Sequence, residues 1–308
     1  MEIQMFNFWY FFAIALCVGA CVGLYYLLRN KGDITKKIVL FSLLVFALAL
    51  HFLKAVFPPY SVDEGRFYRD IWFINICAAN ILFFPFIFLS KSKTAKDYMF
   101  YIGVLSGLLS MFLPLEPINK GNQLGEWLDV IRFYVHHAIL WIVPLLMVVF
   151  KLHTLSWKRV YKVPACLLGT MLFIMFNQIL QSEFGFVPLR GNDIFEIGYK
   201  NTSYIWGPDD SIGEIFAIFC PKIFKTIPVG QYAGQVKYLP WAWLIVPAYL
   251  LIPPLTFLMS LIFDFKNFKA DVMGYREKLL AWIEKWKKAK EGKTLENNNG
   301  GLENKTEE

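Results

Sequence analysis

Two adjacent histidines, His136 and His137, sit in an apolar run, residues 130–150, that is long enough to cross a bilayer. An ionisable side chain in hydrocarbon is costly, so by default it marks a site facing a protein interior or a water-filled cavity. Cys77 and His51 lie in two further apolar runs. A cysteine near an imidazole supports nucleophilic chemistry: the ring takes the thiol proton and the thiolate attacks an acyl carbonyl. A helical rise of about 1.5 Å per residue puts Cys77 and His137 each roughly 10 Å below the same membrane face, and His51 about 9 Å below it. Asn177 falls about one turn higher. Consecutive helical residues diverge by about 100°, so only one of His136 and His137 can aim at Cys77.

The same residues also have structural readings. A membrane cysteine commonly fills a small packing position, and a membrane histidine commonly makes an interhelical hydrogen bond. A metal site from His51, Cys77 and His137 lacks HExxH or any other ligand spacing, so no metal or cofactor is expected. Lys54 and Arg132 stand close enough to the interface to snorkel or to meet a lipid phosphate. His153 falls in a basic linker with no evident role.

The elements that must position these groups follow from composition. Of 308 residues, 56% are hydrophobic and 18% aromatic, and the apolar residues come in blocks rather than periodic stripes. The expected fold is an all-α polytopic membrane bundle. Its seven spans, each near the roughly 20 residues needed to cross hydrocarbon, fall at 8–28, 38–57, 71–90, 98–115, 130–150, 163–181 and 239–263. The alternating strands of a β-barrel are missing from the pattern. Lysine and arginine collect in alternate linkers, at Arg29, Lys31, Lys36 and Lys37, at Lys91, Lys93 and Lys96, and at Lys151, Lys158, Arg159 and Lys162. Positive loops stay cytoplasmic, so the N-terminus is expected outside and the C-terminus inside.

The chain divides into a transmembrane domain over 1–265, a basic amphipathic cytoplasmic helix over 266–293 and a disordered tail over 294–308. The helix is read from Val272, Tyr275, Leu279, Trp282, Ile283 and Trp286 at helical spacing among lysines. The tail is rich in asparagine and glutamate. The net charge of +7 belongs mainly to the linkers and tail, and points to anionic headgroups rather than nucleic acid. Five cysteines with no CxxC spacing give neither a disulfide framework nor a zinc ribbon. No glycine-rich phosphate loop occurs. The long connection 182–238 is placed to cover the site, with 215–220 as a short interfacial or re-entrant segment. It also holds a formal glycosylation sequon, Asn201-Thr202-Ser203.

Four stretches carry a family resemblance. Phe73-Ile74-Asn75-Ile76-Cys77, Ser106-Gly107-Leu108-Leu109-Ser110-Met111-Phe112-Leu113-Pro114 and Tyr134-Val135-His136-His137-Ala138-Ile139-Leu140-Trp141-Ile142-Val143-Pro144 come first. Asn177, followed by Asn201-Thr202-Ser203-Tyr204-Ile205-Trp206-Gly207-Pro208, is the fourth. In this order they resemble the transmembrane protein 164 family and its bacterial YwaF-type relatives. The eukaryotic member is an acyltransferase that remodels ether phospholipids, with a membrane cysteine as proposed nucleophile. The resemblance implies Cys77 as that cysteine and His137 as the histidine before the fifth-span proline. His136 stands where the eukaryotic proteins have glutamine. Ile76 and Ala78 replace proline and histidine, and Ser203 replaces an asparagine.

Together these readings give a phospholipid acyltransferase acting through an acyl-cysteine, with phospholipids and lysophospholipids as partners and the bacterial plasma membrane as its place. Cys77 and His137 are the catalytic residues, and lipid hydrolysis is the nearest enzymatic neighbour. Asn177 and Asn201 are expected to hydrogen-bond the oxyanion and Tyr204 to orient the histidine, with His136 and His51 in support. The alternative is a non-enzymatic transporter or assembly protein whose buried Cys and His residues are structural.

Overall fold

The computed structural model describes residues 2–58, 60–117, 124–185, 201 and 203–303, and their regular structure is helical. Helix α1 (Phe8–Leu28) starts where the Asn7 carboxamide accepts from the Tyr10 N–H at 2.9 Å, satisfying a donor that the helix cannot. Helix α2 (Asp33–Leu53) tightens into a single 3-10 turn, Lys54–Val56. The short α3 (Glu64–Ile71) precedes α4 (Ile76–Leu89), capped by Asn75, and α5 (Lys93–Phe112), capped by Ser92. Helix α6 (Leu124–Val149) and α7 (Val163–Glu183) complete the principal packing, joined through the 3-10 segment Trp157–Lys162. After them come α8 (Ser211–Ile218), α9 (Lys222–Lys225) and α10 (Ile245–Glu303).

Five of these segments are long and apolar enough to cross a membrane: Phe8–Leu28, Asp33–Val56, Glu126–Val149, Trp157–Glu183 and Ala242–Lys288. The protein is therefore a multi-pass helical membrane protein. Helix α4 is apolar but has only 14 residues. It begins at Ile76 rather than 71 because Asn75 accepts from the Ala78 N–H at 2.8 Å, which fixes the helix start there.

Helix α6 lies at the centre of the bundle, packed against α1, α2, α4 and α5. Its closest neighbour is α5, and two glycines one turn apart explain why. A Cβ at Gly103 would stand 2.6 Å from the Leu140 carbonyl oxygen, and one at Gly107 would stand 2.8 Å from that of His137. Small residues at this spacing let helix backbones approach where lipid supplies no hydrophobic drive. At the far end of α5 the fully buried Asp97 is held by His153 at 2.7 Å and by Arg159, whose Nη2 and Nε donate at 3.0 and 2.5 Å. His153, without a role in the sequence, thus ties the 150s linker to α5.

Two compact units divide the chain, Met1–Met259 and Ser260–Glu308. Within the second, α10 departs from helical backbone at Asp264 (φ −125°, ψ 16°). Tyr275, Leu279, Trp282 and Trp286 are exposed along it. The prolines at 253 and 254, which the sequence marks as a break, lie inside the helix. The Thr256 hydroxyl donates to the Ile252 carbonyl at 2.9 Å beside them.

Candidate functional site

Cys77 is the second residue of α4, directly after the Asn75 cap. The first turn of a helix leaves N–H groups without intrahelical partners and favours negative charge nearby. Asn75 takes the N–H of Ala78, and those of Ile76 and Cys77 have no backbone acceptor among the described residues. Two backbone donors are therefore left at the helix turn that carries the thiol, and N–H groups of this kind can receive an oxyanion. The thiol itself is half-buried and stands 3.9 Å from the Ser110 hydroxyl of α5.

His137 meets the same stretch of α5 through its backbone. Its carbonyl is the group that Gly107 admits, and the Trp141 indole one turn on donates to the Met111 sulfur at 3.0 Å. Ser106, Gly107 and Ser110 span little more than one helical turn, so the Cys77 thiol and the His137 backbone border one turn of α5. The His137 Nδ1 lies 2.8 Å from the Phe133 carbonyl. A carbonyl only accepts, so Nδ1 carries the proton and Nε2 is left with its lone pair. Among the described residues no hydrogen bond joins Cys77 to His137.

The other two histidines form a separate unit. His51 and His136 stack at 5.9 Å between ring centroids and 17° between planes, and Phe73 covers His51 at 4.9 Å. His51 Nε2 donates to the Ile71 carbonyl at 3.0 Å. His136, 3% exposed, faces Arg132 Nη1 through Nδ1 at 3.5 Å, and its buried Nε2 has no hydrogen-bond partner among the described residues. These contacts place the two rings in the α2–α6 packing, beside a polar cluster of Arg132, Asp129, Tyr60 and Glu116. Arg132 Nη2 lies 2.6 Å from Asp129 and 3.4 Å from Glu116, and the Tyr60 hydroxyl donates to Asp129 at 3.2 Å. Burial, then the surrounding carboxylates against the pull of Arg132, keep the Tyr60 hydroxyl protonated far above its ordinary range.

Asn177, Asn201 and Tyr204 hold the surroundings of Cys77 rather than reaching it. The Asn177 amide donates to the Phe73 carbonyl at 3.3 Å, tying α7 to the segment before α4. Asn201 donates to the Gly207 carbonyl at 2.8 Å and accepts from the Trp206 N–H at 3.2 Å, which closes its own loop. That buried carboxamide is not presented as a glycosylation acceptor. The Tyr204 hydroxyl donates to Asp210 at 2.9 Å, not to a histidine. Burial first and that carboxylate second push the tyrosine pKa up. Tyr204 has φ of +57° and Gly207 +128°, and Asp210 caps α8, so the loop turns sharply and then enters a helix.

The loop's hydrophobic side explains its placement. Ile205 and Trp206 are buried in one cluster with Phe73, Ala78, Ala79 and Ile174. The Trp206 indole donates to Gln178 of α7 at 3.0 Å, and the Trp241 N–H donates to the Ile205 carbonyl at 2.8 Å. The loop therefore braces the first turn of α4, immediately beside Cys77. Residues 186–200 and 202 of the connection expected to cover the site lie outside the described residues. Among the described residues no three His, Cys, Asp or Glu side chains converge as metal ligands.

Every residue of this arrangement falls within a match to the profile of the TMEM164 family, which covers residues 4–260. The chain belongs to the TMEM164 family. Neither a curated protein nor a solved structure matches it. In this TMEM164-family protein, the motifs around Cys77, Gly107, His137 and Asn201 are thus four neighbouring parts of one packing arrangement. Sequence reading found all four. It did not find Gly103, Asn75 as the cap of α4, or the bracing role of Trp206. The Gly103-to-Gly107 spacing and the position of Asn75 one residue before an apolar run were the signals present.

Proposed function

We propose that this TMEM164-family protein is a phospholipid acyltransferase working through an acyl-cysteine at Cys77. The observation that carries the reading is that one turn of α5 meets the Cys77 thiol through Ser110 and the His137 backbone through Gly107, with the His137 Nδ1 proton held by the Phe133 carbonyl. His137 takes the Cys77 proton, and the thiolate attacks a phospholipid ester carbonyl. The first-turn N–H groups of Ile76 and Cys77 receive the developing oxyanion. The tetrahedral intermediate collapses, the C–O bond breaks, and the lysolipid alkoxide leaves with the proton from His137. A second lysolipid hydroxyl, deprotonated by the same ring, attacks the thioester, and the Cys77 thiolate departs and recovers the proton. With water as acceptor the same first half gives hydrolysis.

The seven spans, with the N-terminus outside and the C-terminus cytoplasmic, belong to this proposal, as does a bacterial plasma membrane location. Helices α4 and α5 would supply the two spans beyond the five that length and hydropathy support. A non-enzymatic reading draws on the His51–His136 stack, which is packing without a nucleophile. Intact-mass analysis of the purified protein in phospholipid separates the two. Acyl transfer predicts a covalent fatty-acyl adduct on Cys77, cleaved by hydroxylamine and lost in Cys77→Ala. A protein that stays unmodified in lipid and transfers no acyl group is a scaffold or transporter.

A further inference from the structure

The last helix is far longer than one membrane crossing needs. Helix α10 has 59 residues, about 88 Å of helical rise, against roughly 30 Å of hydrocarbon. Its first part, residues 245–263, contains no charged residue and matches that thickness by itself. The backbone leaves helical geometry at Asp264, the first charged residue, whose carboxylate accepts from the Asn267 amide at 2.6 Å. Charges recur every few residues after that point, yet large apolar side chains stand in the open among them. Tyr275 is 58% exposed, Leu279 55%, Trp282 63% and Trp286 55%.

These four share one face. At 3.6 residues per turn their directions about the helix axis fall within about 60° of one another. The charges are sorted around this stripe. From Arg276 to Lys290 six cationic side chains stand against Glu277 and Glu284. Both glutamates lie roughly opposite the stripe, whereas Lys278 and Lys285 border one edge and Arg276 and Lys287 the other. Lys290 holds its ammonium over the Trp286 ring at 5.4 Å. Long cationic side chains beside an apolar stripe cover hydrocarbon with their stems and reach headgroups with their charges. Tryptophan and tyrosine rings favour the same interfacial layer. A helix lying flat in the headgroup plane would thus bury its rings, set its lysines at phosphate level and turn its carboxylates to water.

The charge pattern also separates a lipid surface from a second copy of the chain. Val272, Tyr275, Leu279, Trp282 and Trp286 recur at intervals of four and three, the spacing of a coiled-coil seam. Opposite charges along the edges of such a seam stabilise pairing. A parallel pair would instead set Lys285 of one copy against Lys290 of the other, and would have to fit two indoles per chain into the seam. An anionic surface meets the same lysines with opposite charge.

We propose that the α10 segment from Phe265 to Lys290 is a docking helix for an anionic bilayer surface, with Tyr275, Leu279, Trp282 and Trp286 in the acyl boundary and the flanking lysines on headgroup phosphates. This surface is separate from Cys77 and stands independently of the acyl-transfer reading.

The full chain in lipid nanodiscs tests this, with its native cysteines replaced and one fluorophore attached at either Leu279→Cys or Glu284→Cys. Acrylamide, an uncharged aqueous quencher, reads the exposure of each. In phosphatidylcholine containing about one-third phosphatidylglycerol, the probe at 279 should be quenched at least about threefold less than the probe at 284. The difference should shrink in phosphatidylcholine alone and in about 0.5 M salt, which screens the attraction. Lys278→Gln together with Lys285→Gln should weaken docking about 25-fold, fivefold for each lysine near the surface. Trp282→Ser with Trp286→Ser, which keeps every charge, should weaken it as well. Equal quenching at 279 and 284 in the anionic discs, or the same protection of 279 in both lipids, would overturn the proposal. Protection of 279 that persists in detergent, with a disulfide forming between two Leu279→Cys chains, would overturn it in favour of a second copy.

Discussion

Gly107 of α5 faces His137 of α6 so closely that a methyl group there would stand 2.8 Å from the His137 carbonyl oxygen. The contact fixes how near α5 comes to the fifth expected span at the turn where Ser110 also meets the Cys77 thiol. Gly107→Ala should force the helices apart and cost about 1–3 kcal/mol, the usual penalty of overpacking. Gly169→Ala, in the open on α7 with nothing within 4 Å, should be neutral or stabilising by helix propensity. Thermal denaturation in detergent compares them, and equal melting temperatures would contradict the packing account.

Trp206 should act on Cys77 without touching it. Its removal in Trp206→Ala deletes a buried indole, costing about 3–5 kcal/mol, and releases the first turn of α4 from its brace. Maleimide labelling of Cys77 is expected to quicken severalfold in a background lacking the other cysteines. An unchanged labelling rate would mean that α4 holds its own first turn.

Asp97 is a different kind of position, a buried carboxylate shared by His153 and Arg159. Asp97→Asn should lower stability by about 3 kcal/mol, since removing one partner leaves buried charge unpaired. The site at Ser110 is some 20 Å away along α5 at the helical rise, so acyl transfer per folded molecule should not change. A stable variant with lowered transfer would place Asp97 in the chemistry.

Alkaline pH should loosen the loop after Asn201. The Tyr204 pKa is raised by burial and by Asp210, so the neutral phenol contributes stability in full below the ordinary tyrosine value of about 10. That contribution is lost as pH climbs above this value. Tyr204→Phe should melt lower than wild type at pH 8, by the equivalent of about 1 kcal/mol for one hydrogen bond. The gap should close toward pH 11, and a gap that stays constant would refute the assignment.

The apolar blocks made much of the fold legible. Helix α1 covers the 8–28 expected for it, and α7 begins at the expected Val163. Apolar length does not carry end chemistry, however, so the Asn75 cap shifts α4 by five residues and the 3-10 turn at Lys54 ends α2 early. Helical rise was expected to put Cys77, His51 and His137 in one layer, but for Cys77 that count assumed a helix from residue 71, whereas α4 starts at Ile76 and holds Cys77 in its first turn. Rotation about each helix axis was not readable. Only packing reveals that His136 turns toward α2 and stacks on His51, while the His137 backbone meets Gly107 of α5. Asn201 and Tyr204 were marked correctly as a motif, but their partners are Gly207 and Asp210, loop contacts that sequence spacing does not distinguish from a reach toward the nucleophile.

The central claim is covalent catalysis by Cys77 with His137 as its base. The direct measurement is transfer of a labelled acyl chain from phospholipid to lysophospholipid by the purified protein in lipid, for wild type, Cys77→Ala, His137→Gln and His51→Gln. The account predicts no transfer and no acyl adduct in Cys77→Ala, and transfer lowered at least 100-fold in His137→Gln, about the least a general base contributes. His51→Gln should keep most of the rate. Full transfer in Cys77→Ala, or greater dependence on His51 than on His137, would contradict it.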